Sequence, residues 1–316
     1  MKIVLLDAET LGEGLDLTVL ARFGEVVTYN FTTPDEIKPR IADADVILIN
    51  KIKITGDVLD AAAHLRLVCV FATGYDNVDV SACRAHGVAV CNVRGYSTAA
   101  VAQLTILMAL TLTEKLRAYT AFVKDGSYTR AGFPNRLSPV YHEIDGKTWG
   151  IVGAGAIGQA VGRIAAAFGC RVLYYTRTAK PELPCVSLDT LLSESDILSL
   201  HTPLNDGTRG LIGKAQLDRM KPSAILINVA RGAVTVEKDV ADAIKAGRLG
   251  GFATDVYSVE PFPGDHPLAE LVDRENVLLT PHMAWGALEA RVRCLEEIVK
   301  NIDAFLKNEP RNRVDL

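Results

Sequence analysis

The chain has 316 residues, of which 49% are hydrophobic and 23% charged, and its formal net charge is −4. This length exceeds what one hydrophobic core usually serves, so two domains of ordinary size are expected. The slightly negative charge argues against bulk attraction to nucleic acid or to an anionic membrane. The apolar run at residues 3–6 is cut by Asp7, and the most apolar stretch, 101–112, contains Gln103 and Thr105. Neither a signal sequence nor a membrane span is therefore expected, and a cytoplasmic protein is predicted.

The first part of the chain alternates apolar β-type runs with segments of helical spacing. Strands are predicted at residues 3–6, 26–29, 46–49, 67–71 and 88–91, and helices at 15–23, 34–41, 56–63 and 80–86. This alternation indicates a parallel sheet with helical crossovers. One long helix follows at residues 97–124, with Ser97 or Thr98 as its N-cap. Residues 125–146 are predicted to form a loop or arm of the kind that reaches a partner subunit.

Six cysteines are scattered along the chain without a Cys-x-x-Cys pair or a histidine partner. Several lie within apolar runs, so they are expected to be small buried side chains. Neither a disulfide nor a metal site is predicted.

The most informative stretch is residues 148–177. A short apolar run leads into Gly153-x-Gly155-x-x-Gly158, then an Ala/Ile-rich segment and a second β-type run. This is the strand, turn, helix and strand context that a dinucleotide-binding motif requires. Gly153 permits a tight turn, Gly155 lets a pyrophosphate approach the backbone, and Gly158 lets the helix pack on its strand. The helix N-terminus favours the phosphates, so dinucleotide binding is predicted, with an ordinary glycine turn as the alternative.

The same alternation continues to the end of the chain. Strands are predicted at 148–152, 172–175, 196–200, 224–228, 251–256 and 277–280, and helices at 156–168, 187–192, 214–220, 237–246 and 286–307. The last helix is long enough to return to the first domain. The predicted fold is therefore α/β, with two Rossmann-like or flavodoxin-like domains built on parallel sheets. A cofactor domain, 96–287, is inserted into a discontinuous substrate domain, 1–95 plus 288–316.

The residues after the second strand of the motif bear on the choice of cofactor. Thr176 stands where a ribose-binding carboxylate is expected, and Arg177 and Thr178 follow it. A hydroxyl followed by a guanidinium suits a 2′-phosphate, whereas a carboxylate would repel it. NADP(H) is therefore favoured without excluding NAD(H). The alternative is that Arg177 is only a solvated loop charge.

Three side chains follow successive strands of the second part: Arg231, Glu260 and His282. In open α/β sheets, ligands bind beyond the carboxyl ends of the strands, so these residues can converge on one crevice. A guanidinium can hold a carboxylate, an imidazole can pass a proton near neutral pH, and a carboxylate can orient that imidazole. Each alone could equally be structural. Together, beside a dinucleotide loop, they predict a catalytic site.

The chain resembles the D-isomer-specific 2-hydroxyacid dehydrogenases, and within them looks most like the glycerate dehydrogenase, hydroxypyruvate reductase and glyoxylate reductase group. The resemblance covers nearly the whole chain. It is carried by these motifs, besides the glycine loop: Ala72-Thr73-Gly74-Tyr75-Asp76-Asn77-Val78-Asp79, Gly95-Tyr96-Ser97-Thr98-x-x-Val101-Ala102-Gln103, His201-Thr202-Pro203-Leu204, Asn228-Val229-Ala230-Arg231-Gly232, Asp255-Val256-x-x-x-Glu260-Pro261 and Thr280-Pro281-His282-x-Ala284-Trp285.

The resemblance implies a role for each catalytic candidate. Arg231 would bind the substrate carboxylate and carbonyl, His282 would be the acid/base, and Glu260 would support His282. Backbone N–H groups around Thr73 and Gly74 would hold the substrate carboxylate.

The resemblance and the glycine loop together give a set of candidate cofactor contacts. Asp255 would accept from the nicotinamide carboxamide, Thr98 and Thr208 would lie near the nicotinamide or phosphate end, and Pro203 would wall the site. The full set is Thr98, Gly153, Gly155, Ala156, Ile157, Gly158, Thr176, Arg177, Thr178, His201, Thr202, Pro203, Thr208, Val229, Ala230, Arg231, Asp255, His282 and Ala284. Asp255 could instead be a strand-end turn residue, Thr98 only a helix cap and Thr208 a loop hydroxyl.

The chain departs from the group's usual pattern in two places. Arg94 stands where proline is typical, and Thr176 replaces the acid of NAD-preferring members. Arg94 and Lys51 could each face the substrate or be solvated, and the sequence leaves this open.

The predicted function is NAD(P)-dependent reduction of a small 2-oxoacid, with hydride transfer to C2 and His282 as the acid/base. A homodimer is expected by resemblance, and no nucleic-acid or membrane partner is expected. The rival is a dinucleotide-sensing protein on the same scaffold, like the corepressors that the family resembles. Against it, no recognition segment is expected after the returning helix, and all three catalytic residue types are present. A nicotinamide-dependent enzyme of other chemistry is a second rival, disfavoured by the lack of a metal or thiol constellation.

Overall fold

The computed structural model describes residues 1–178 and 180–316. In these ranges the strands are β1 (Lys2–Leu5), β2 (Glu25–Thr28), β3 (Val46–Ile49), β4 (Leu67–Val70), β5 (Ala89–Cys91), β6 (Thr148–Val152), β7 (Arg171–Tyr175), β8 (Ile197–Leu200), β9 (Ile225–Asn228), β10 (Gly251–Thr254) and β11 (Val277–Leu279). The α-helices are α1 (Pro34–Ile41), α2 (Gly56–Leu59), α3 (Val80–Ala85), α4 (Thr98–Thr113), α5 (Leu116–Lys124), α6 (Ser127–Ala131), α7 (Ala156–Ala167), α8 (Leu188–Glu194), α9 (Lys214–Leu217), α10 (Glu237–Lys245) and α11 (Leu288–Leu306).

The chain divides into two compact units, one of Met1–Ser97 with Trp285–Leu316 and one of Thr98–Ala284. The units part at 97/98 and 284/285, against 95/96 and 287/288 in the prediction. Each unit holds one sheet, and every strand pair in both sheets is parallel. The predicted α/β fold with two parallel sheets is confirmed.

The first unit contains the sheet β2-β1-β3-β4-β5. Strands such as β3 and β4 are buried along their whole length, as expected for a parallel sheet covered on both faces. The end of the chain adds to the far edge, where Val314 N–H donates to Val90 O at 3.0 Å and Asn92 N–H to Asn312 O at 3.2 Å. These contacts explain why the last residues belong to this unit.

The second unit contains the sheet β11-β10-β9-β8-β6-β7. The strand order reverses between β6 and β8, which is the point where ligands bind in open parallel sheets. The core includes Trp149 and Phe252, both fully buried. Trp149 Nε1 donates to Ser199 Oγ at 2.9 Å, so the buried indole N–H between β6 and β8 is satisfied.

The single helix predicted over residues 97–124 is wrong. The structure has α4 and α5 instead, bent by 68° around Lys115, whose φ is +53°. The buried residues lie in α4, and α5 buries none. No single helix of the described residues is long and apolar enough to cross a membrane, and α4 and α5 pass that test only as a bent pair.

Smaller differences concern the type and the ends of single elements. The predicted helix at 15–23 is a 3₁₀ helix, Leu17–Phe23, and the arm predicted over 125–146 contains α6. The predicted helix at 56–63 ends at Leu59, and the predicted strand at 251–256 ends at Thr254. None of these changes the order of the strands.

Candidate active site

The glycine loop lies at the switch point of the second sheet. Gly153 has a φ of +99°, and a Cβ there would lie 2.5 Å from His201 O in the loop after β8. A Cβ on Gly158 would overlap Gly153 O, whereas a Cβ on Gly155 would meet nothing within 4 Å. Gly153 and Gly158 therefore serve close packing, and the open space at Gly155 is where a bound group can approach the backbone.

The helix that follows is suited to a phosphate. Gly155 is the N-cap of α7 and provides no capping side chain, and Ala156 and Ile157 begin the helix. The first N–H groups of a helix and the positive end of its dipole favour an anion. These residues fit a dinucleotide pyrophosphate.

The loop after β8 carries the predicted residues His201, Thr202, Pro203 and Thr208. Thr208 Oγ1 donates to Pro203 O at 2.7 Å and accepts from Asn205 N–H at 2.8 Å, so it holds this loop in shape. His201 Nε2 is 3.0 Å from Ser199 Oγ, and its buried Nδ1 has no hydrogen-bond partner in the part of the chain that the structure describes. Burial lowers the pKa of His201 to about 3. The imidazole is therefore neutral and adds no charge to the site.

The end of β7 leads into Thr176, Arg177 and Thr178. Thr176 is half-buried, and Arg177 and Thr178 are exposed. Among the described residues, no carboxylate forms an ion pair with Arg177. Its guanidinium is available to an anionic ligand.

Arg231 follows β9 at the same edge of the sheet. Its carbonyl accepts from Asn228 Nδ2 at 2.9 Å, and Asn228 Oδ1 accepts from Ala230 N–H at 3.1 Å. A Cβ on Gly232 would overlap the backbone of Tyr257. The loops after β9 and β10 therefore touch directly behind Arg231, and only glycine permits this approach. Val229, also predicted as a cofactor contact, is half-buried in the first of these loops.

Glu260 and His282 lie in contact. Glu260 Oε2 is 2.6 Å from His282 Nδ1, and Glu260 Oε1 accepts from Tyr257 N–H at 2.9 Å. A carboxylate only accepts, so Nδ1 carries the proton in this pair and Nε2 is the nitrogen that can exchange a proton with a substrate. His282 has a φ of +52°, a conformation that few residues other than glycine adopt. Such strain persists where the surrounding structure fixes the residue.

Asp255 is what holds the His282 loop. Its carboxylate, 1% exposed, accepts from Thr280 Oγ1 at 2.5 Å, Met283 N–H at 2.9 Å and Ala284 N–H at 2.8 Å. Burial raises the pKa of Asp255, and these donors oppose the rise. The sequence predicted Asp255 as a contact of the nicotinamide carboxamide. The structure shows it fixing the segment on both sides of His282.

A buried polar cluster that was not predicted from the sequence lies beside these residues. Glu237 and His266 are 8% and 7% exposed, and His266 Nε2 is 3.0 Å from Glu237 Oε2. Ser258 donates to the same carboxylate through its N–H, at 2.8 Å, and through its hydroxyl. The sequence offered one signal for this cluster: His266, six residues after Glu260, is followed by Pro267.

The predicted substrate-binding residues Thr73 and Gly74 lie in the first unit, after β4. Thr73 Oγ1 donates to Val93 O at 2.7 Å, and Asn92 Nδ2 donates to Thr73 O at 2.7 Å. The loop is thereby tied to the residues after β5, where Arg94 is exposed. Lys51 is exposed after β3, and its N–H donates to the buried carboxylate of Asp7 at 2.6 Å.

One predicted cofactor contact remains, and it lies elsewhere in the second unit. Thr98 is the half-buried first residue of α4. No group of three or more histidine, cysteine or acidic side chains among the described residues could hold a metal ion.

Comparison with known proteins bears on the whole chain. A family model described as the NAD-binding domain of the D-isomer specific 2-hydroxyacid dehydrogenases matches residues 106–284. The hydroxypyruvate reductase of Blautia hydrogenotrophica is 38% identical over 326 residues, covering 100% of both chains. The glyoxylate reductase of Thermococcus litoralis is 38% identical over 286 residues, covering 88% of this chain and 85% of that one.

Two solved structures share the fold over nearly the full length. D-lactate dehydrogenase from Aquifex aeolicus, complexed with NAD and lactic acid, has a TM-score of 0.87 at 27% identity and covers 100% of this chain and 99% of its own. An acyclic imino acid reductase in complex with NADPH and D-Arg has a TM-score of 0.87 at 28% identity, covering 99% of this chain and 100% of its own.

Proposed function

Because the chain belongs to the D-isomer specific 2-hydroxyacid dehydrogenase family, we propose that it reduces a small 2-oxoacid of the hydroxypyruvate or glyoxylate type. The predicted enzyme class, an NAD(P)-dependent oxidoreductase acting on the CH–OH group of 2-hydroxy acids, is confirmed by this membership. The observation that carries the proposal is the 2.6 Å contact between His282 and Glu260, beside the Arg231 loop. The curated relatives of similar length and identity, named as hydroxypyruvate and glyoxylate reductases, support the substrate class.

The roles follow from the chemistry of the three side chains. The bound cofactor supplies the hydride that C2 of the oxoacid receives. The Arg231 guanidinium donates one hydrogen bond to the substrate carboxylate and a second to the carbonyl oxygen, which it polarises. Protonated His282 gives its Nε2 proton to the carbonyl oxygen, and Glu260 stabilises the imidazolium at Nδ1. Thr73 and Gly74 stay predicted ligands of the substrate carboxylate.

The test is the loss of near-ultraviolet absorbance of NADPH and NADH in parallel, with hydroxypyruvate, glyoxylate, pyruvate and a branched 2-oxoacid. We expect turnover with hydroxypyruvate or glyoxylate to be the fastest. Tight cofactor binding without turnover of any oxoacid would favour a dinucleotide-sensing protein instead.

We propose that NADP(H) is the favoured cofactor. The support is the absence of a carboxylate at the end of β7, where Thr176 is half-buried, and the exposed Arg177 beside it. The imino acid reductase described above holds NADPH and the D-lactate dehydrogenase holds NAD, so the fold accommodates both.

We propose that the protein is a homodimer. Six apolar side chains on α4, α5 and the arm are between 47% and 72% exposed: Leu107, Leu116, Val123, Phe133, Leu137 and Val140. A cavity of about 470 Å³ lies among Leu107, Leu116, Tyr119, Leu137 and Tyr141. A monomer rarely exposes such an apolar surface, and a second copy of this chain would bury it.

Placing charges on this surface should therefore dissociate the dimer. The double variant Leu137→Asp with Val140→Asp is expected to elute as a monomer at concentrations where the wild type is a dimer, measured by light scattering after size exclusion. Phe31→Asp is the matched control, because Phe31 is 70% exposed in the other unit. A monomeric wild type, or a double variant that stays dimeric, would contradict the proposed interface.

A further inference from the structure

We propose that Glu237 is a positioning residue: its buried carboxylate, with Ser258 and His266, holds the loop that carries Glu260 in contact with His282. The inference rests on the proposed reductase function. It concerns residues that lie behind the reacting groups and touch neither substrate nor cofactor in the proposed mechanism.

The Glu237 carboxylate is buried at the start of a helix, and the neighbouring side chains face it as donors. Glu237 is the first residue of α10, where the helix dipole favours negative charge. Leu268 N–H donates to His266 Nδ1 at 3.3 Å, so Nδ1 accepts and Nε2 carries the proton that faces Glu237. His266 Nε2 is therefore the donor in the contact with Glu237. No lysine or arginine of the described chain pairs with Glu237.

Three donors converge on the Glu237 carboxylate. They are Ser258 N–H, the Ser258 hydroxyl and His266 Nε2–H. A buried carboxylate without a cation adds little to stability unless such donors satisfy it. All three donors belong to the loop after β10, so these hydrogen bonds fix the position of that loop relative to α10.

The donors lie on both sides of Glu260 in the loop after β10. Ser258 comes two residues before Glu260, and His266 comes six residues after it. In the same loop, the Tyr257 ring packs edge-on against Phe262, with ring centroids 4.7 Å apart, and Phe262 packs against His266 at 5.1 Å. Tyr257 N–H donates to Glu260 Oε1, so the segment that Glu237 anchors directly orients the carboxylate that contacts His282.

The Glu237→Gln variant tests the inference. Glutamine keeps the size of the side chain but places an amide donor against the Ser258 and His266 donors. We expect kcat to fall about 10- to 100-fold, the loss that follows a displacement of about 1 Å at a reacting group. The KM of the reduced cofactor should change little. The glycine loop follows β6, and β8 and β9 lie between β6 and β10 in the sheet.

The pH profile separates positioning from general loss of structure. A weaker Glu260 contact stabilises the His282 imidazolium less, so the alkaline limb of kcat for reduction should move to lower pH. Two carboxylates after β10, Asp255 and Glu260, lie next to His282. The Tyr257 hydroxyl donates to Thr280 O in the loop that carries His282. The substitution alters none of them, nor Arg231.

A double-variant cycle tests whether Glu237 acts through Glu260. If Glu237 acts through Glu260, then Glu237→Gln should cause no further loss of kcat in a Glu260→Gln background. An equal loss in both backgrounds would overturn the inference, as would wild-type kcat and pH profile in the single variant. Asp242→Asn is the matched control, since Asp242 is an exposed carboxylate of α10 that pairs with Lys238.

A second variant and an NMR measurement test the positioning role independently of Glu237→Gln activity. If Glu237→Gln does not fold, Ser258→Ala, which removes only the hydroxyl contact, should show a smaller loss of kcat that again disappears in the Glu260→Gln background. In the cofactor-free protein, the His282 Nδ1 proton should give a downfield NMR signal that is absent from His282→Gln and shifted in Glu237→Gln. An unshifted signal in Glu237→Gln would refute the positioning role even if no oxoacid were turned over. Failure of the proposed reductase function would instead appear as absent 2-oxoacid turnover by the wild type.

Discussion

Replacing His282 with alanine should lower kcat for 2-oxoacid reduction about 100- to 10,000-fold, the range that a positioned general acid contributes. Glu260 holds Nδ1 at 2.6 Å, so Nε2 is the nitrogen that passes the proton, and alanine places no donor there. Cofactor affinity should stay close to that of the wild type, because Gly153, Gly155 and the start of α7 are unchanged. Steady-state kinetics and a fluorescence titration with the reduced cofactor measure the two effects separately.

His86→Ala is the control for this experiment. His86 is an exposed histidine of the first unit that pairs with Asp60 at 3.0 Å, and its loss should leave kcat unchanged. Turnover of His282→Ala within about tenfold of the wild type would remove His282 from the acid/base role. Glu260→Gln should show an intermediate loss, with the alkaline limb of kcat at lower pH because the imidazolium has lost its anionic partner.

The strand-end residues could be predicted because their positions depend on local patterns. Arg231, Glu260 and His282 each follow a short β-type run, and parallel strands end at the same edge of a sheet. The glycine loop was predictable for the same reason, since Gly153, Gly155 and Gly158 differ in what a Cβ at each position would meet.

Other features depend on contacts that no local pattern records. Glu237 and His266 are 29 residues apart, and only the packing of α10 against the loop after β10 brings them together. The helix break at Lys115 falls in a segment without glycine or proline, where helix propensity continues. The prediction for Asp255 relied on resemblance, and the three protein donors around its carboxylate became visible only with the loop after β11 in place.

Thr176→Asp should reverse the cofactor preference. The new carboxylate would repel the 2′-phosphate of NADPH and accept from the ribose hydroxyls of NADH. Arg177 stays in this variant, but the added carboxylate would pair with its guanidinium in place of the 2′-phosphate. Loss of one charge-assisted hydrogen bond of about 1.5–3 kcal/mol should then lower kcat/KM for NADPH about 10- to 150-fold. Arg177→Ala should lower kcat/KM for NADPH alone, and parallel assays with both cofactors measure the ratio.

Arg171→Ala provides the matched control, because Arg171 begins the same strand, β7, and is paired with Glu194. Its removal changes the net charge as Arg177→Ala does, but should leave the NADPH to NADH ratio unchanged. Equal effects of the two arginine variants, both weakened by added salt, would mean that only long-range charge is involved. No effect of Arg177→Ala would make that residue a solvated loop charge. A loss confined to NADPH would instead assign the end of β7 to the 2′-phosphate, since no other difference between the two cofactors could produce it.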